Sequence, residues 1–98
     1  MTLLTLSNDA KADLRDMLRY GTAEFGEDGA DAYYFSFEDA FLRLQQFPEA
    51  GQVEEESGLT LRRWHHRSHR IFYTYDGTRL FIARILHHSV SLEGRFLG

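Results

Sequence analysis

Five histidines fall in the last third of this 98-residue chain, and they are the first side chains to consider for chemistry. They form two adjacent pairs and one single residue: His65, His66, His69, His87 and His88. A zinc site needs at least three converging ligands, but neighbouring side chains on a strand point to opposite faces. Neither pair is therefore suited to ligating one ion. Because the chain also lacks cysteine, we expect no metal site, no disulfide and no cofactor.

A second set of residues could do acid–base chemistry near one end of a sheet: His69, Tyr73, Arg84 and His87. Histidine is able to act as acid or base, and arginine can stabilise the phosphorane formed when a 2′-hydroxyl attacks the neighbouring RNA phosphate. The strand pairing predicted below turns His87 away from Arg84, which counts against this set. Arg84 could instead simply pair with a carboxylate. Motifs for a Ser-His-Asp triad, a phosphate loop or H-E-x-x-H are absent from the sequence.

The stretch from His69 to His88 must position these groups, and it reads as a β-hairpin. Asp76-Gly77 suits a tight two-residue turn, which sets Tyr75 opposite Thr78. The remaining pairs are then Tyr73 with Leu80, Ile71 with Ile82 and His69 with Arg84 on one face, and Phe72 with Phe81 and Arg70 with Ala83 on the other. Both faces carry apolar residues, so this hairpin belongs in the middle of a sheet.

The other elements follow from local signals. Thr2–Leu6 predicts an edge strand, and Ser7-Asn8-Asp9 predicts the N-cap of a first helix. The glycine-flanked break GEDG at 26–29 predicts an antiparallel helical hairpin. The second helix has an aromatic stripe at helical spacing, which is typical of core: Ala30, Tyr33, Tyr34, Phe37, Ala40, Phe41, Leu44 and Phe47.

Pro48 predicts the end of the second helix, Glu49–Gly58 reads as an exposed polar loop, and Leu59–His66 predicts a further strand. The order βααβββ indicates an α+β fold in which a helical hairpin packs on one face of a small, mostly antiparallel sheet. We expect the helices on the side of Phe72, Phe81, Ala83 and Ile85. The opposite face would then leave open a mixture of apolar and positive residues, namely His69, Ile71, Tyr73, Leu80, Ile82 and Arg84. Such a face marks a contact site unless the tail or the loop covers it.

Composition and charge limit the class of protein. With 43% apolar and 14% aromatic residues, the chain predicts one globular domain over residues 1–98, ending in a tail at 89–98. No signal peptide or membrane-spanning run is present, so we expect a cytoplasmic protein. Residues 1–58 carry four basic against thirteen acidic groups, whereas 59–98 carry seven arginines against two acids. This polarity fits either a solvated acidic helical half or a basic sheet that receives an acidic partner. Nucleic acid is a weaker candidate for that partner.

Several short segments along the chain follow a recognisable pattern. The first helix opens with Ala10-Lys-Ala-Asp-Leu14, which has the form A-x-x-D-L. The predicted helical hairpin contains Tyr20 and Phe25-Gly26, and its exit from Leu44 to Gly51 has a P-x-x-G at Pro48–Gly51. The closing strands contain His69-Arg-Ile-Phe-Tyr73, of the form H-x-I-x-Y, and Ile82-Ala-Arg-Ile-Leu-His87, of the form I-x-R-I-L-H. In this order the segments resemble the ParE toxins of the RelE/ParE superfamily.

The resemblance implies a toxin of a type II toxin–antitoxin system that inhibits DNA gyrase by binding, rather than as an enzyme, and that a ParD-type antitoxin neutralises. We expect partner contacts from basic and apolar residues of the sheet and tail: Arg62, Trp64, His69, Tyr73, Arg84, Arg95, Phe96 and Leu97. The alternative is a metal-independent, ribosome-dependent mRNA endoribonuclease of the RelE kind. In that reading the set His69, Tyr73, Arg84 and His87 would be catalytic.

Overall fold

A computed structural model describes residues 2–54 and 61–90. In this part of the chain the elements are β1 (Leu3–Leu6), α1 (Asn8–Gln46), β2 (Gln52–Glu54), β3 (Leu61–His66), β4 (His69–Tyr75) and β5 (Arg79–His87). The strands form one sheet in the order β1-β5-β4-β3-β2. β1 runs parallel to β5, and the other three pairings are antiparallel. The predicted α+β class with a mostly antiparallel sheet is confirmed.

The helical element α1 folds back on itself at Gly26. A straight helix of 39 residues would be about 58 Å long, but the molecule measures 38 Å along its longest axis. Gly26 has φ 81° and ψ 168°, a conformation open to glycine at little cost. Where the two arms meet, a Cβ placed on Gly21 would lie 3.3 Å from that of Ala30. The predicted helical hairpin is therefore present, and a single glycine makes its turn between arms 8–25 and 27–46.

The start and end of α1 also match the sequence signals. Ser7 is the N-cap, and its hydroxyl accepts a hydrogen bond from the Ala10 amide at 2.9 Å. The helix ends at Gln46, just before Pro48. The predicted exposed loop at 49–58 is wrong in one part, because Gln52–Glu54 pairs with β3 as an edge strand. Its Glu54 carboxylate lies 2.6 Å from the Arg63 guanidinium across the pair.

The predicted pairing of β4 with β5 is wrong by two residues. Tyr75 lies opposite Leu80 rather than Thr78. The Asp76 carboxylate accepts hydrogen bonds from the amides of Thr78 (2.9 Å) and Arg79 (2.7 Å), and four residues, 76–79, rather than two separate the paired positions. A bulge at Phe72/Tyr73 then shifts the pairing again, so that Ile71 lies opposite Ile85.

The helices also cover the opposite face of the sheet from the one expected, except at Ile85, which lies on the helical side as predicted because the bulge brings it opposite Ile71. The face beneath α1, here called the closed face, buries Ile71, Tyr73, Leu80, Ile82 and Ile85 against the helical hairpin. Phe81, predicted to face the helices, is 42% exposed on the other side. From the aromatic stripe, Ala30, Phe37, Ala40 and Leu44 are buried and Tyr33, Tyr34 and Phe41 are partly buried. Phe47 is the exception, at 58% exposure.

Side-chain alternation and cross-strand pairing define the other face, here called the open face: Leu3, Thr5, Leu61, Arg63, His65, Arg70, Phe72, Thr74, Arg79, Phe81, Arg84 and Leu86. It is exposed at Leu3 (55%) and Phe81. It is buried at Leu61, Phe72 and Leu86, and the Arg70 guanidinium lies 5.6 Å from the Phe72 ring centroid. Within the described part of the chain, no helix is both long and apolar enough to span a membrane.

Candidate functional site

A carboxylate from the first helical arm binds Arg84 where β5 extends past β1 and forms a local edge of the sheet. The Nε and Nη2 atoms of Arg84 donate to the two oxygens of Asp13, both at 2.9 Å. Asp13 also accepts a hydrogen bond from the backbone amide of Ile85 at 2.9 Å. These hydrogen bonds raise the pKa of Arg84. The guanidinium is thus committed to joining the helical hairpin to β5.

The Tyr73 side chain, on the closed face, is also engaged in contacts within the protein. It is fully buried, and its hydroxyl donates to the Pro48 carbonyl and accepts from the Gly51 amide, each at 2.9 Å. Burial raises the pKa of this hydroxyl above its usual range. A Cβ on Gly51 would lie 2.6 Å from the hydroxyl, so glycine is required for this close approach. Arg62 holds the same segment by donating to the Glu49 and Gly51 carbonyls at 3.0 and 3.1 Å.

The histidines gather at the opposite end of the closed face. We define the histidine cluster as His66, His69, His87 and His88. His69 and His87 pair across β4 and β5 with ring centroids 5.3 Å apart, and His87 lies 4.3 Å from His88. His66 pairs with His69 across β3 and β4. The second helical arm contacts the cluster through Phe37, whose ring is 4.5 Å from that of His66.

Two hydroxyls of that arm bind the cluster. The Tyr33 hydroxyl lies 2.8 Å from His69 Nδ1 and accepts from the Ser68 amide at 3.2 Å, an arrangement that lets it donate its proton to a neutral Nδ1. Ser36 donates its proton to the Tyr33 carbonyl at 2.5 Å, so its oxygen accepts from His66 Nε2, 2.7 Å away. The histidines thus link the helix to the turn between β3 and β4.

Burial and nearby ionisable groups lower the pKa values of His66 and His69. Desolvation is the main cause that lowers the pKa of His69 to about 4, and the adjacent His87, His66 and His88 lower it further. Desolvation and then Arg67 lower the pKa of His66. At neutral pH both rings are therefore uncharged hydrogen-bonding groups.

The structure brings only part of the predicted catalytic set together. His69 and His87 are in contact. The hydroxyl of Tyr73 is instead bound to Pro48, and the guanidinium of Arg84 is bound to Asp13. Among residues 2–54 and 61–90, no group of three or more His, Asp or Glu side chains is arranged to hold a metal ion.

Among the predicted partner-binding residues that the structure describes, only Arg84 has the register of the open face, opposite Phe72, and its guanidinium is bound by Asp13. Arg62, His69 and Tyr73 point toward the helical side, Trp64 packs against the core, and Arg84 is bound at the edge. Arg95, Phe96 and Leu97 fall outside the described residues. The open face instead presents Leu3, Arg63, Arg70, Arg79 and Phe81, which sequence reasoning did not select. Once the faces are assigned, strict alternation from Leu80 and Ile82 identifies Arg79 and Phe81.

The segments that resembled a family in sequence prove to be contact partners in space. Asp13 of A-x-x-D-L binds Arg84 of I-x-R-I-L-H. Pro48 and Gly51 of P-x-x-G bind Tyr73 of H-x-I-x-Y. These five motif residues therefore stabilise the fold through contacts with another motif far away in the chain.

Comparisons with known proteins agree with this arrangement. Residues 4–91 match the family described as ParE toxin of type II toxin-antitoxin system, parDE. Toxin ParE1 of Caulobacter vibrioides is 34% identical over 86 residues, which cover 88% of each chain. The fold is also similar to a solved structure titled "Chromosomal ParDE TA system from P. aeruginosa", with a TM-score of 0.77 and 22% identity over 89% of this chain and 96% of the other.

Proposed function

This chain belongs to the ParE toxins of parDE type II toxin–antitoxin systems, and we propose that it inhibits DNA gyrase by binding, with no catalytic step of its own. A ParD-type antitoxin would neutralise it. The gyrase target is the expectation that the resemblance implies, and both proposed partners act in the cytoplasm.

The observation that supports a binding toxin is that two of the candidate catalytic groups are already bound within the protein. Arg84 is bound by the Asp13 carboxylate, and Tyr73 is buried with its hydroxyl engaged at both its donor and acceptor positions. A general acid or an arginine that stabilises a phosphorane must reach the substrate. These side chains instead hold the helical hairpin and the 48–51 segment on the sheet.

The open face supports the proposal of an acidic antitoxin. Its cations are Arg63, Arg70 and Arg79, and its exposed apolar groups are Leu3 and Phe81. The Glu54 carboxylate forms an ion pair with only one of these cations, Arg63, so the surface keeps a net positive charge. A peptide with acidic and apolar side chains complements such a surface in both charge and hydrophobicity.

The endoribonuclease alternative keeps one supporting observation, which is the contact between His69 and His87. His87 is exposed, and its Nδ1 lies 2.7 Å from the Ser89 hydroxyl. An exposed imidazole at the end of a strand is accessible to RNA in a way that Tyr73 and Arg84 are not.

The deciding experiment measures gyrase supercoiling of relaxed plasmid beside mRNA cleavage in a translating extract. The proposal predicts loss of supercoiling with intact mRNA, relief by the antitoxin, and an unchanged effect for His87→Ala. Ribosome-dependent cuts that disappear in His87→Ala, together with normal supercoiling, would establish the alternative. His87→Ala is a cleaner test than Arg84→Ala, because removing Arg84 also breaks the contact with Asp13.

A further inference from the structure

We propose that the histidine cluster is an acid-sensitive clasp, which ties the second helical arm to the turn between β3 and β4 at neutral pH and releases it when His69 is protonated. The released end consists of the helical segment around Tyr33 and the turn residues 66–69. The rest of the closed face, held by Asp13 and Tyr73, stays folded.

The clasp depends on a neutral His69. A neutral Nδ1 can accept the proton of the Tyr33 hydroxyl while that hydroxyl accepts from the Ser68 amide. A protonated imidazole has two donors and no acceptor. Protonation therefore removes the acceptor for the Tyr33 proton at this 2.8 Å contact and places a positive charge in a half-buried site against the Tyr33 and Phe37 rings, so either the hydroxyl proton or the imidazole must turn away.

Groups on several elements surround His69, and most of them disfavour a positive charge on its ring. His87 of β5 and His66 of β3 flank the ring, His88 follows, and the Arg67 cation lies 5.8 Å from the centroid of the Tyr33 ring. Asp13 and Asp39 on α1 are the acids with an opposing influence, and in both cases their effect is smaller than that of burial. The charge is thus introduced in a partly buried site, beside other imidazole rings and near the Arg67 cation.

His66 has a supporting role. Its Nε2–H already donates to Ser36, so protonation leaves that bond intact. It adds a positive charge next to His69 across the strand pair and next to Arg67 in the turn. The two sites therefore reinforce each other as the pH falls.

The direction of the pH dependence follows from linkage. In the open state His69 has an ordinary pKa near 6.5, whereas burial and its cationic neighbours keep the closed-state pKa at about 4. The open state binds more protons between these values, so acid favours opening. For one linked proton the opening constant rises about tenfold for each pH unit across this interval.

Hydrogen exchange on the full chain tests the clasp. We expect amides of 33–37 and 66–69 to lose protection between pH 7.5 and pH 5, after correction for the intrinsic rate, while amides of β4 around Tyr73 do not. His69→Phe keeps an aromatic ring without a titrating group, and it should abolish the local pH dependence. His65→Gln is the matched control, since His65 is the exposed neighbour on the same strand as His66. Equal loss of protection throughout the chain, or an unchanged pH response in His69→Phe, would overturn the proposal.

A second measurement does not depend on any variant folding. The imidazole signals of the wild-type chain, followed by NMR against pH, should show His69 titrating well below the ordinary histidine value of about 6.5. Tyr33→Phe should move the His69 midpoint and expose 66–69 even at neutral pH. A His69 midpoint at or above about 6.5 in the wild-type chain would contradict the clasp.

Discussion

The two faces of the sheet carry similar apolar sequence but serve different purposes. On the closed face Ile71, Tyr73, Leu80 and Ile82 are fully buried beneath the helical hairpin. On the open face Arg79 and Phe81, the residues adjacent to Leu80 and Ile82, are exposed. Burial on one side stabilises the fold, whereas exposed apolar area beside arginines on the other is available to a partner. Substitutions of adjacent residues of one strand therefore separate an effect on stability from the proposed effect on binding.

The largest expected effect comes from truncating the closed face. Ile82→Ala should lower the free energy of unfolding by about 3 kcal/mol, because it leaves a cavity in a fully packed site. Phe81→Ala, one residue away on the open face, should change it by less than about 0.5 kcal/mol. Urea unfolding of both variants measures the difference. Equal losses would show that the faces are wrongly assigned.

Removing the carboxylate at the sheet edge should have the next largest effect. Asp13→Ala leaves the Arg84 guanidinium and the Ile85 amide without their acceptor, which should cost about 2 kcal/mol of unfolding free energy. Asp16→Ala is the control, since its contact with Arg19 is long, at 3.9 Å, and exposed. A stability loss in Asp13→Ala no greater than in this control would mean that the edge contact contributes nothing.

A smaller loss is expected from the buried hydroxyl. Tyr73→Phe keeps the ring but removes the link to Pro48 and Gly51, at an expected cost of about 1 kcal/mol. Tyr20→Phe is the matched control, because Tyr20 is 66% exposed. Thermal unfolding monitored by circular dichroism compares the two variants. If both melt like the wild type, the 48–51 segment is held by other contacts.

Much of this architecture could be predicted because local signals and the requirements of the fold agreed. Ser7 is the N-cap, Gly26 takes the positive φ that lets the helix reverse, and Pro48 follows the end of the helix. The assignment of faces failed for a definable reason. Both sides of the β4–β5 hairpin are apolar, so a period of two cannot decide which side the helices cover.

The finer geometry depended on contacts that sequence patterns do not encode. The Asp76 carboxylate lengthens the turn, and the bulge at Phe72/Tyr73 changes the pairing beyond it. The strand Gln52–Glu54 is polar and short, and it exists because β3 offers an edge. The helical pattern does not predict that Tyr33 and Ser36 contact histidines, since their partners lie 36 and 30 positions away in the chain.

The claim that the open face receives the antitoxin is tested most directly by measuring the affinity of a cognate ParD-type antitoxin for wild type, Arg79→Glu and Arg19→Glu by calorimetry. Arg79 is exposed on the open face, while Arg19 is exposed on the helical hairpin, so both variants carry the same change in net charge. The account predicts that Arg79→Glu weakens binding about tenfold or more, and that Arg19→Glu leaves it nearly unchanged. Equal affinities for the two variants would contradict it.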